Sequence, residues 1–241
     1  MEQGAVGVVT GASSGIGRAI AAELARRGAQ VAALGRDLEA LERMRAEEEI
    51  DPHAFHPFRL DLDVGTGMAE FASTWQERLG RVDVLVHSAG VHHRGLTAQT
   101  PVELLEQLLR VNLVRPYELT RLLLPELCRR HGQIVFVNSS VVHNPRAQTA
   151  QFAASKGALA AYAEGLRAEV NAEGVRVMTI HPGRTASPTQ ERIFAQEGRA
   201  YEPSTLLQPA DVADIVVDAL ELPRTAEVTE VRIRPMQKSS P

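Results

Sequence analysis

The chain has 241 residues, of which 44% are hydrophobic and 23% charged, and these values are typical of a folded globular protein with a large core. The net charge of −4 gives no general attraction to nucleic acid or to an anionic membrane surface. Cys128 is the only cysteine, so an internal disulfide is excluded and a reducing compartment is favoured. No signal segment and no long apolar run is recognisable, and we therefore expect a cytoplasmic protein.

Short apolar runs alternate with stretches of helical periodicity along the whole chain. Continuously apolar strands are typical of a sheet that is covered by helices on both faces. Alternation with right-handed crossovers predicts a single α/β domain over 1–241, with a doubly wound, seven-stranded parallel sheet of the Rossmann type flanked by helices. The predicted strands are 4–10, 30–35, 53–60, 82–88, 133–139, 175–180 and 227–234, and the predicted helices are 15–27, 37–49, 65–79, 101–130, 152–173 and 209–221.

A glycine-rich turn follows the first predicted strand and opens the first predicted helix. Its glycines let the backbone approach closely, and the unpaired amides and dipole of the helix N-terminus favour a bound diphosphate. The spacing is G-x-x-x-G-x-G, which is related to the general dinucleotide fingerprint without matching it. We therefore predict that this turn binds a dinucleotide cofactor through Gly11, Ser13, Ser14, Gly15, Ile16 and Gly17.

The end of the second predicted strand indicates which dinucleotide is bound. Many dinucleotide-binding domains carry an acidic residue there that accepts hydrogen bonds from the adenosine ribose. Here the position is Gly35, and Arg36 follows it. A guanidinium is a planar, permanently charged partner for a 2′-phosphate, so we predict NADP(H) rather than NAD(H).

The segment 184–208 breaks the alternation of strands and helices, since Pro188 and Pro203 lie within it, Pro209 follows it, and only a short helix near 189–198 is expected. A long excursion after a strand is commonly functional, and we predict that it forms a lid over the substrate. The polar tail 235–241 is predicted to be frayed.

Taken in chain order, these motifs resemble the classical short-chain dehydrogenase/reductase family over essentially the full length. The stretch 10–17 is similar to the family's cofactor turn, and 87–90 is similar to its Asn-Asn-Ala-Gly motif with both asparagines replaced. The resemblance also implies an adenine-contacting aspartate at Asp61 and a nicotinamide-side turn at 182–183. Besides Arg36, inferred above, the resemblance thereby adds the following cofactor contacts: Asp61, Leu62, Ser88, Ala89, Gly90, Lys156, Pro182, Gly183 and Thr185.

The resemblance also implies an active site and reveals a departure from it. The family has a serine, a tyrosine thirteen residues later and a lysine four residues after that. Here Ser139 (with Ser140 as the alternative), Phe152 and Lys156 stand at those positions, and Asn112 stands where the family has a helix asparagine that holds a water. The expected catalytic set is therefore Ser139, Lys156 and Asn112, with Phe152 at the tyrosine position.

The loss of the tyrosine hydroxyl bears on one chemical step. Hydride transfer to a carbonyl leaves an alkoxide that needs a proton, and a phenol of pKa about 10 donates it more readily beside a lysine cation. Phe152 keeps the ring and loses this donor. Removing a positioned general acid typically lowers the rate about 10²- to 10⁴-fold. Lys156 acting through a water, and His143, are the candidate replacements.

Four interpretations of Phe152 stay open at this stage: an introduced Tyr→Phe change, a slow reductase with another proton source, chemistry that needs no such proton, and cofactor binding without turnover. We expect an NADP(H)-dependent oxidoreductase acting on a carbonyl/alcohol pair. The alternative is a non-catalytic NADP(H)-binding module that serves as a sensor or a partner subunit.

The expected partners are a small carbonyl or alcohol substrate and further copies of the chain, with no nucleic acid, membrane or metal. Adjacent His92 and His93 point in different directions on any regular element, which argues against a metal site. The helices at 101–130 and 152–173 form the subunit contact in the family, so the resemblance implies a homodimer or homotetramer.

Overall fold

A seven-stranded parallel sheet forms the centre of the computed structural model, which describes residues 3–237. Its strand order is β3-β2-β1-β4-β5-β6-β7, with every neighbouring pair parallel. The doubly wound α/β fold predicted from the sequence is confirmed. The strands are β1 Val6–Thr10, β2 Gln30–Gly35, β3 Phe55–Arg59, β4 Val84–His87, β5 Gln133–Val137, β6 Arg176–Pro182 and β7 Glu230–Ile233.

Eight α-helices flank this sheet within residues 3–237. Their apolar faces are buried against it, and this packing rather than intrinsic propensity supplies most of their stability. The helices are α1 Gly15–Arg26, α2 Leu38–Glu47, α3 Met68–Arg78, α4 Val102–Leu109, α5 Arg115–Arg129, α6 Ala150–Val170, α7 Pro188–Gln196 and α8 Pro209–Leu220.

The helical stretch predicted at 101–130 contains an interruption that the sequence pattern did not reveal. Between α4 and α5, residues Arg110–Val114 form a π-helical turn. Such turns insert one residue into the helical ladder and occur frequently at functional sites. The inserted turn carries Asn112, whose side chain is almost completely buried.

Several of the predicted strands and helices are longer than the observed ones. Strand β3 begins at Phe55 instead of 53, because Pro52–Ala54 form a 3-10 turn capped by Asp51. Strand β5 ends at Val137, two residues before the predicted end, and Ser139 caps a short 3-10 turn. Helix α3 begins at Met68 instead of 65, because Gly65 and Gly67 adopt positive φ angles.

The core lies in two layers, one on each face of the sheet. On one face, α1 and α8 pack against the central strands through Ile20, Leu24 and Val216. On the other face, the aromatic residues Phe71 and Phe136 and the aliphatic residues of α5 and α6 form the second layer. Because both faces are covered, ligands have access to the sheet at its carboxyl edge.

The sheet order reverses between β1 and β4, which start crossovers in opposite directions. This switch point opens a crevice at the carboxyl ends of the strands. Thr10 holds the crevice together, because its Oγ1 accepts hydrogen bonds from Ser88 N at 3.0 Å and Ala89 N at 3.1 Å.

The carboxyl-terminal tail was predicted to be frayed from residue 235. Pro235 instead packs beside Gly183, where a methyl group on the glycine would lie 3.0 Å from Pro235 Cδ. The prediction is therefore wrong for Pro235, and the tail residues 238–241 lie outside the described part of the chain. Among residues 3–237, no helix combines the length and the apolar character needed to cross a bilayer.

The tight packing of the first turn gives a stability prediction. A methyl group at Gly17 would lie 2.4 Å from Gly11 O, so Gly17→Ala should lower the free energy of unfolding by about 1–3 kcal/mol. Gly165 lies in α6 with no atom within 4 Å of an added methyl group, so Gly165→Ala should raise it by about 0.5–1 kcal/mol. Urea unfolding monitored by circular dichroism measures both; equal effects would contradict the packing described.

Candidate functional site

A cavity of about 750 Å³ opens at the carboxyl edge of the sheet. Strands β4, β5 and β6 end at its base, helix α6 forms one wall and α7 another. The cavity brings together many of the residues predicted from the sequence. They are Ile16, Ser88, Gly90, Ser139, Ser140, Phe152, Lys156, Pro182, Gly183 and Thr185.

In the glycine-rich turn an added methyl group would collide at Gly11 and Gly17, as predicted, whereas at Gly15 it would make an ordinary contact of 3.5 Å. Gly11 adopts φ of +68° and packs so closely on the loop after β4 that a methyl group would lie 2.9 Å from Ala89 Cα. Gly15 also adopts a positive φ, of +54°. Ser14 is the N-cap of α1, and its side chain makes no capping hydrogen bond. The first amides of α1 are thus left without a side-chain cap, which fits a bound diphosphate.

Lys156 lies at the base of the cavity and is only 5% exposed. Its Nζ donates a hydrogen bond to Val137 O at 3.0 Å. Burial disfavours the ammonium form and lowers the pKa of Lys156 to about 8. Gly90 lies against it, since a methyl group there would be 3.6 Å from Nζ.

Asn112 does not line the cavity but ties two of its walls together. Its Oδ1 accepts from Val91 N at 2.9 Å, while its Nδ2 donates to Val91 O and to Ser155 Oγ, both at 3.0 Å. Ser155 Oγ in turn donates to Phe152 O at 2.9 Å. The amide therefore joins the loop after β4 to helix α6, and the π-turn places it between them.

The two serines after β5 differ in their exposure and contacts. Ser139 is half-buried, and its Oγ accepts from Val141 N at 3.2 Å as the cap of the 3-10 turn. Ser140 is exposed at the cavity rim. His181, at the end of β6, has its Nδ1 3.2 Å from Ser139 O, so the backbone of Ser139 is held from the neighbouring strand as well.

Phe152 lies one helical turn before Lys156 on α6, and its ring is 9% exposed in the cavity wall. The ring packs edge to face against His92, with centroids 4.6 Å apart. Burial, with a smaller contribution from Arg94, lowers the pKa of His92 to about 4. His92 is accordingly neutral near pH 7 and cannot act as an imidazolium acid there.

His143, the alternative candidate for the proton donor, is not part of the cavity lining within the described residues. Its Nε2 lies 3.4 Å from Glu230 Oε1, and its ring packs on His181 with centroids 4.5 Å apart. The loop after β5 turns this side chain toward β6 and β7 instead of toward Phe152. The suggestion that His143 supplies the proton is therefore not supported.

The residues predicted to bind the adenosine end lie outside the cavity, along the ends of β2 and β3. Arg36 is exposed directly after β2. Asp61 Oδ1 accepts from Asp63 N at 2.8 Å, and the side chain of Leu62 is buried in the core. Hydrogen bonds from Gln107 and Arg110 and the nearby Arg36 hold the pKa of Asp63 below its usual range.

The motif at 87–90 begins with a structural residue. His87 is completely buried, stacks on Phe136 at 4.9 Å between centroids and pairs with Thr120 Oγ1 at 2.8 Å. Burial lowers the pKa of His87 to about 3, so the ring is neutral. His87 therefore packs in the core beneath the cavity, while Ser88 and Gly90 line the cavity itself.

Sequence reasoning missed an ionic cluster on the lid side of the cavity. Glu197, just after α7, accepts from Arg184 Nη2 with both carboxylate oxygens at 2.8 Å and from Arg94 Nη1 at 2.8 Å. Arg184 also lies over the Phe194 ring at 4.7 Å. These contacts join residues up to 103 positions apart, so no local pattern indicated them. The opposite charges in 184–208 were the available signal.

The cavity, the sheet order and the first turn can be compared with known proteins. A sequence profile described as short chain dehydrogenase matches residues 5–198. An uncharacterised short-chain type dehydrogenase/reductase of Sinorhizobium fredii is 34% identical over 240 residues, which cover 95% of this chain and 91% of that protein.

Two solved structures have the same fold and carry related nucleotides. An alcohol dehydrogenase from the archaeon Thermococcus sibiricus, complexed with 5-hydroxy-NADP, has a TM-score of 0.84 and 26% identity, with 99% and 100% of the two chains covered. A metagenomic short-chain oxidoreductase in complex with NADP has a TM-score of 0.82 and 31% identity, with 98% and 99% covered.

The profile match spans most of the chain, and the relative of similar length exceeds 30% identity. The doubly wound sheet and the cavity at its switch point agree with that relationship. The chain belongs to the short-chain dehydrogenase/reductase family of oxidoreductases.

Proposed function

We propose that the protein is an NADP(H)-dependent oxidoreductase that interconverts a carbonyl compound and an alcohol, with an altered proton-donating step. The observation that carries this proposal is the meeting of Ser139, Phe152 and Lys156 in one cavity beside the β1–α1 turn. Ser139 would hydrogen-bond the substrate oxygen, and Phe152 stands where the family's proton-donating tyrosine is expected.

The described residues fit a dinucleotide. The uncapped amides of α1 would bind its diphosphate, Lys156 would hold the nicotinamide ribose, and the 182–185 turn would support the nicotinamide. The bound cofactor supplies or accepts the hydride. The chain itself positions the carbonyl and provides the proton.

Lys156 is the proton source that we propose for the alkoxide. Its pKa of about 8 makes the ammonium a better acid than an ordinary lysine, whose value is about 10.4. A water that occupies the space of the missing hydroxyl would carry the proton from Nζ. Neither His92, which is neutral, nor His143, which faces away, offers an equivalent route.

The preference for NADP(H) rests on Arg36. This side chain is exposed at the end of β2, and Gly35 before it offers no carboxylate to repel a 2′-phosphate. The two structural relatives above were solved with NADP or a derivative of it, which supports the same choice.

We further propose that residues 184–208 cover the substrate and that the chain forms a homodimer or homotetramer. Helix α7 and Thr185 line the cavity, as a lid would. The helices expected to form the subunit contact leave apolar side chains exposed, among them Val114 at 43% and Tyr117 at 48%. A cytoplasmic location stays a prediction.

Replacing Arg36 tests the cofactor preference. Arg36→Ala should raise the Kd for NADPH about 10- to 100-fold, the effect of one lost charge-assisted hydrogen bond, and leave the Kd for NADH unchanged. Arg43→Ala, an exposed substitution on the following helix, is the matched control and should change neither value. Fluorescence titrations with NADPH and with NADH measure both Kd values for the unaltered protein and the two variants. Tighter binding of NADH than of NADPH by the unaltered protein would contradict the preference.

Restoring the hydroxyl tests the role of position 152. Phe152→Tyr should raise kcat for carbonyl reduction about 10²- to 10⁴-fold, because the phenol donates the proton directly. Phe152→Leu, which also lacks a hydroxyl, should bring no gain. NADPH consumption against a panel of aldehydes and ketones measures this. Cofactor binding without turnover in both the unaltered protein and Phe152→Tyr would favour a binding module instead.

The pH dependence tests Lys156 as the proton source. A lowered pKa means that the ammonium form persists below about pH 8 and is lost above it. The rate of reduction by the unaltered protein should therefore be steady below that value and fall as the pH rises through it. A profile that stays flat through this range, or an unchanged profile in Lys156→Met, would contradict this assignment.

A further inference from the structure

Three guanidinium groups surround a single carboxylate on the lid side of the cavity. Arg184 and Arg94 each approach the Glu197 carboxylate to 2.8 Å, and Arg199 Nη1 lies 3.7 Å from it. We call these four residues the lid cluster. Arg94 and Arg184, both of which line the cavity, set two positive charges against this one carboxylate.

The lid cluster is held in place and largely removed from solvent. The Glu197 side chain is 9% exposed, and those of Arg94 and Arg184 are 21% and 23% exposed. Arg184 and Arg199 both lie over the Phe194 ring. Excess charge in such a wall is screened less than at an open surface, so it favours a counter-ion more strongly.

One donor of the lid cluster lacks an acceptor within residues 3–237. Arg184 Nη1 is buried and has no hydrogen-bond partner there, while Nη2 of the same guanidinium is bound to Glu197. A buried donor without an acceptor costs free energy. Glu197 thus satisfies only one of the two terminal nitrogens of the Arg184 guanidinium.

The rest of the cavity lining does not supply the missing negative charge. Arg146 and Arg234 line the same cavity, and Glu197 is the only acidic residue among its described lining residues. Arg94 also acts toward the interior, since after burial it is the next largest cause of the lowered pKa of His92 beside Phe152, with Arg184 adding to the effect and Glu197 opposing it. The cavity is thus cationic from its rim to the proposed reaction centre.

We infer that the substrate of the proposed oxidoreductase carries a carboxylate or phosphate group, which the lid cluster binds while the carbonyl lies beside Ser139 and Lys156. This inference deepens the proposed function and rests on it. A guanidinium matches either anion with two parallel hydrogen bonds, and Arg94 and Arg184 line the cavity where such a group would arrive.

Matched substrates give the first test. Straight-chain keto acids with one to four bonds between ketone and carboxylate, each beside its methyl ester, are offered with NADPH to the Phe152→Tyr variant. Phosphorylated hydroxyketones form a second arm that separates phosphate from carboxylate. At least one acid or phosphate should show a KM about tenfold or more below that of its neutral counterpart.

Two substitutions, one that removes a positive charge and one that removes a negative charge, separate charge recognition from a structural role. Arg94→Gln should raise the KM for the preferred anion about tenfold, whereas Glu197→Gln, which leaves the positive charge uncompensated, should lower it. Neither should change the KM for the neutral ester. Arg192→Gln, a substitution of an exposed residue on α7, is the control and should change the KM of neither the anion nor the ester. Equal losses for acid and ester in both variants would overturn the inference.

The outcomes distinguish this inference from the function on which it rests. Reduction of esters and acids with equal KM overturns the inference and leaves the proposed function intact. Loss of NADP(H) affinity in Arg94→Gln, with no change for the substrate, assigns the lid cluster to the cofactor and also overturns it. If no compound is reduced, the proposed function fails. The inference is then tested by binding, with the Tm of the protein and NADP⁺ measured in glutarate and in dimethyl glutarate. A higher Tm in glutarate supports anion binding, and an equal Tm overturns the inference.

Discussion

The site depends on an ammonium group that is buried at the base of the cavity. Lys156 Nζ donates to Val137 O, and burial lowers its pKa to about 8. Removing a charge from water is unfavourable unless partners replace the lost solvation. Because an ammonium has three donors, the site has capacity for further oxygen atoms from a ligand. The same burial that weakens the charge makes the group a more effective acid near neutral pH.

Hydrogen bonds around α6 hold Lys156 in position at the ends of the strands. Asn112 bonds to Val91 and Ser155, and Asn138 Nδ2 bonds to Lys156 O at 3.1 Å, so α6 is fixed to the crossovers after β4 and β5. These contacts are independent of a hydroxyl at position 152. The Phe152 ring packs against His92, so the fold accommodates a phenylalanine at this position of the cavity wall.

The sequence was most informative where the signal is local. Strand β2 has the predicted bounds 30–35, and the glycines of the first turn adopt the shape that their spacing indicated, because backbone sterics act between near neighbours. The four-residue spacing of Phe152 and Lys156 likewise predicted a shared helical face.

The sequence was least informative where distant segments meet. The π-turn at Asn112 keeps nearly the same apolar periodicity as an α-helix, so it left no distinct pattern. The position of His143 depends on a loop whose path is set by β6 and β7. The pairing of Glu197 with Arg94 spans 103 residues and requires the complete fold. The arrangement of charges on the lid side of the cavity therefore depends on contacts that form only in the complete fold.

The central claim is that the β1–α1 turn holds the phosphates of a nicotinamide cofactor and directs its reactive ring toward Lys156. A crystal structure after soaking in excess NADPH tests it most directly. We expect the diphosphate at the amides of Gly15–Gly17 and a ribose hydroxyl within hydrogen-bond distance of Lys156 Nζ. An empty turn, or a cofactor bound elsewhere on the protein, would contradict it.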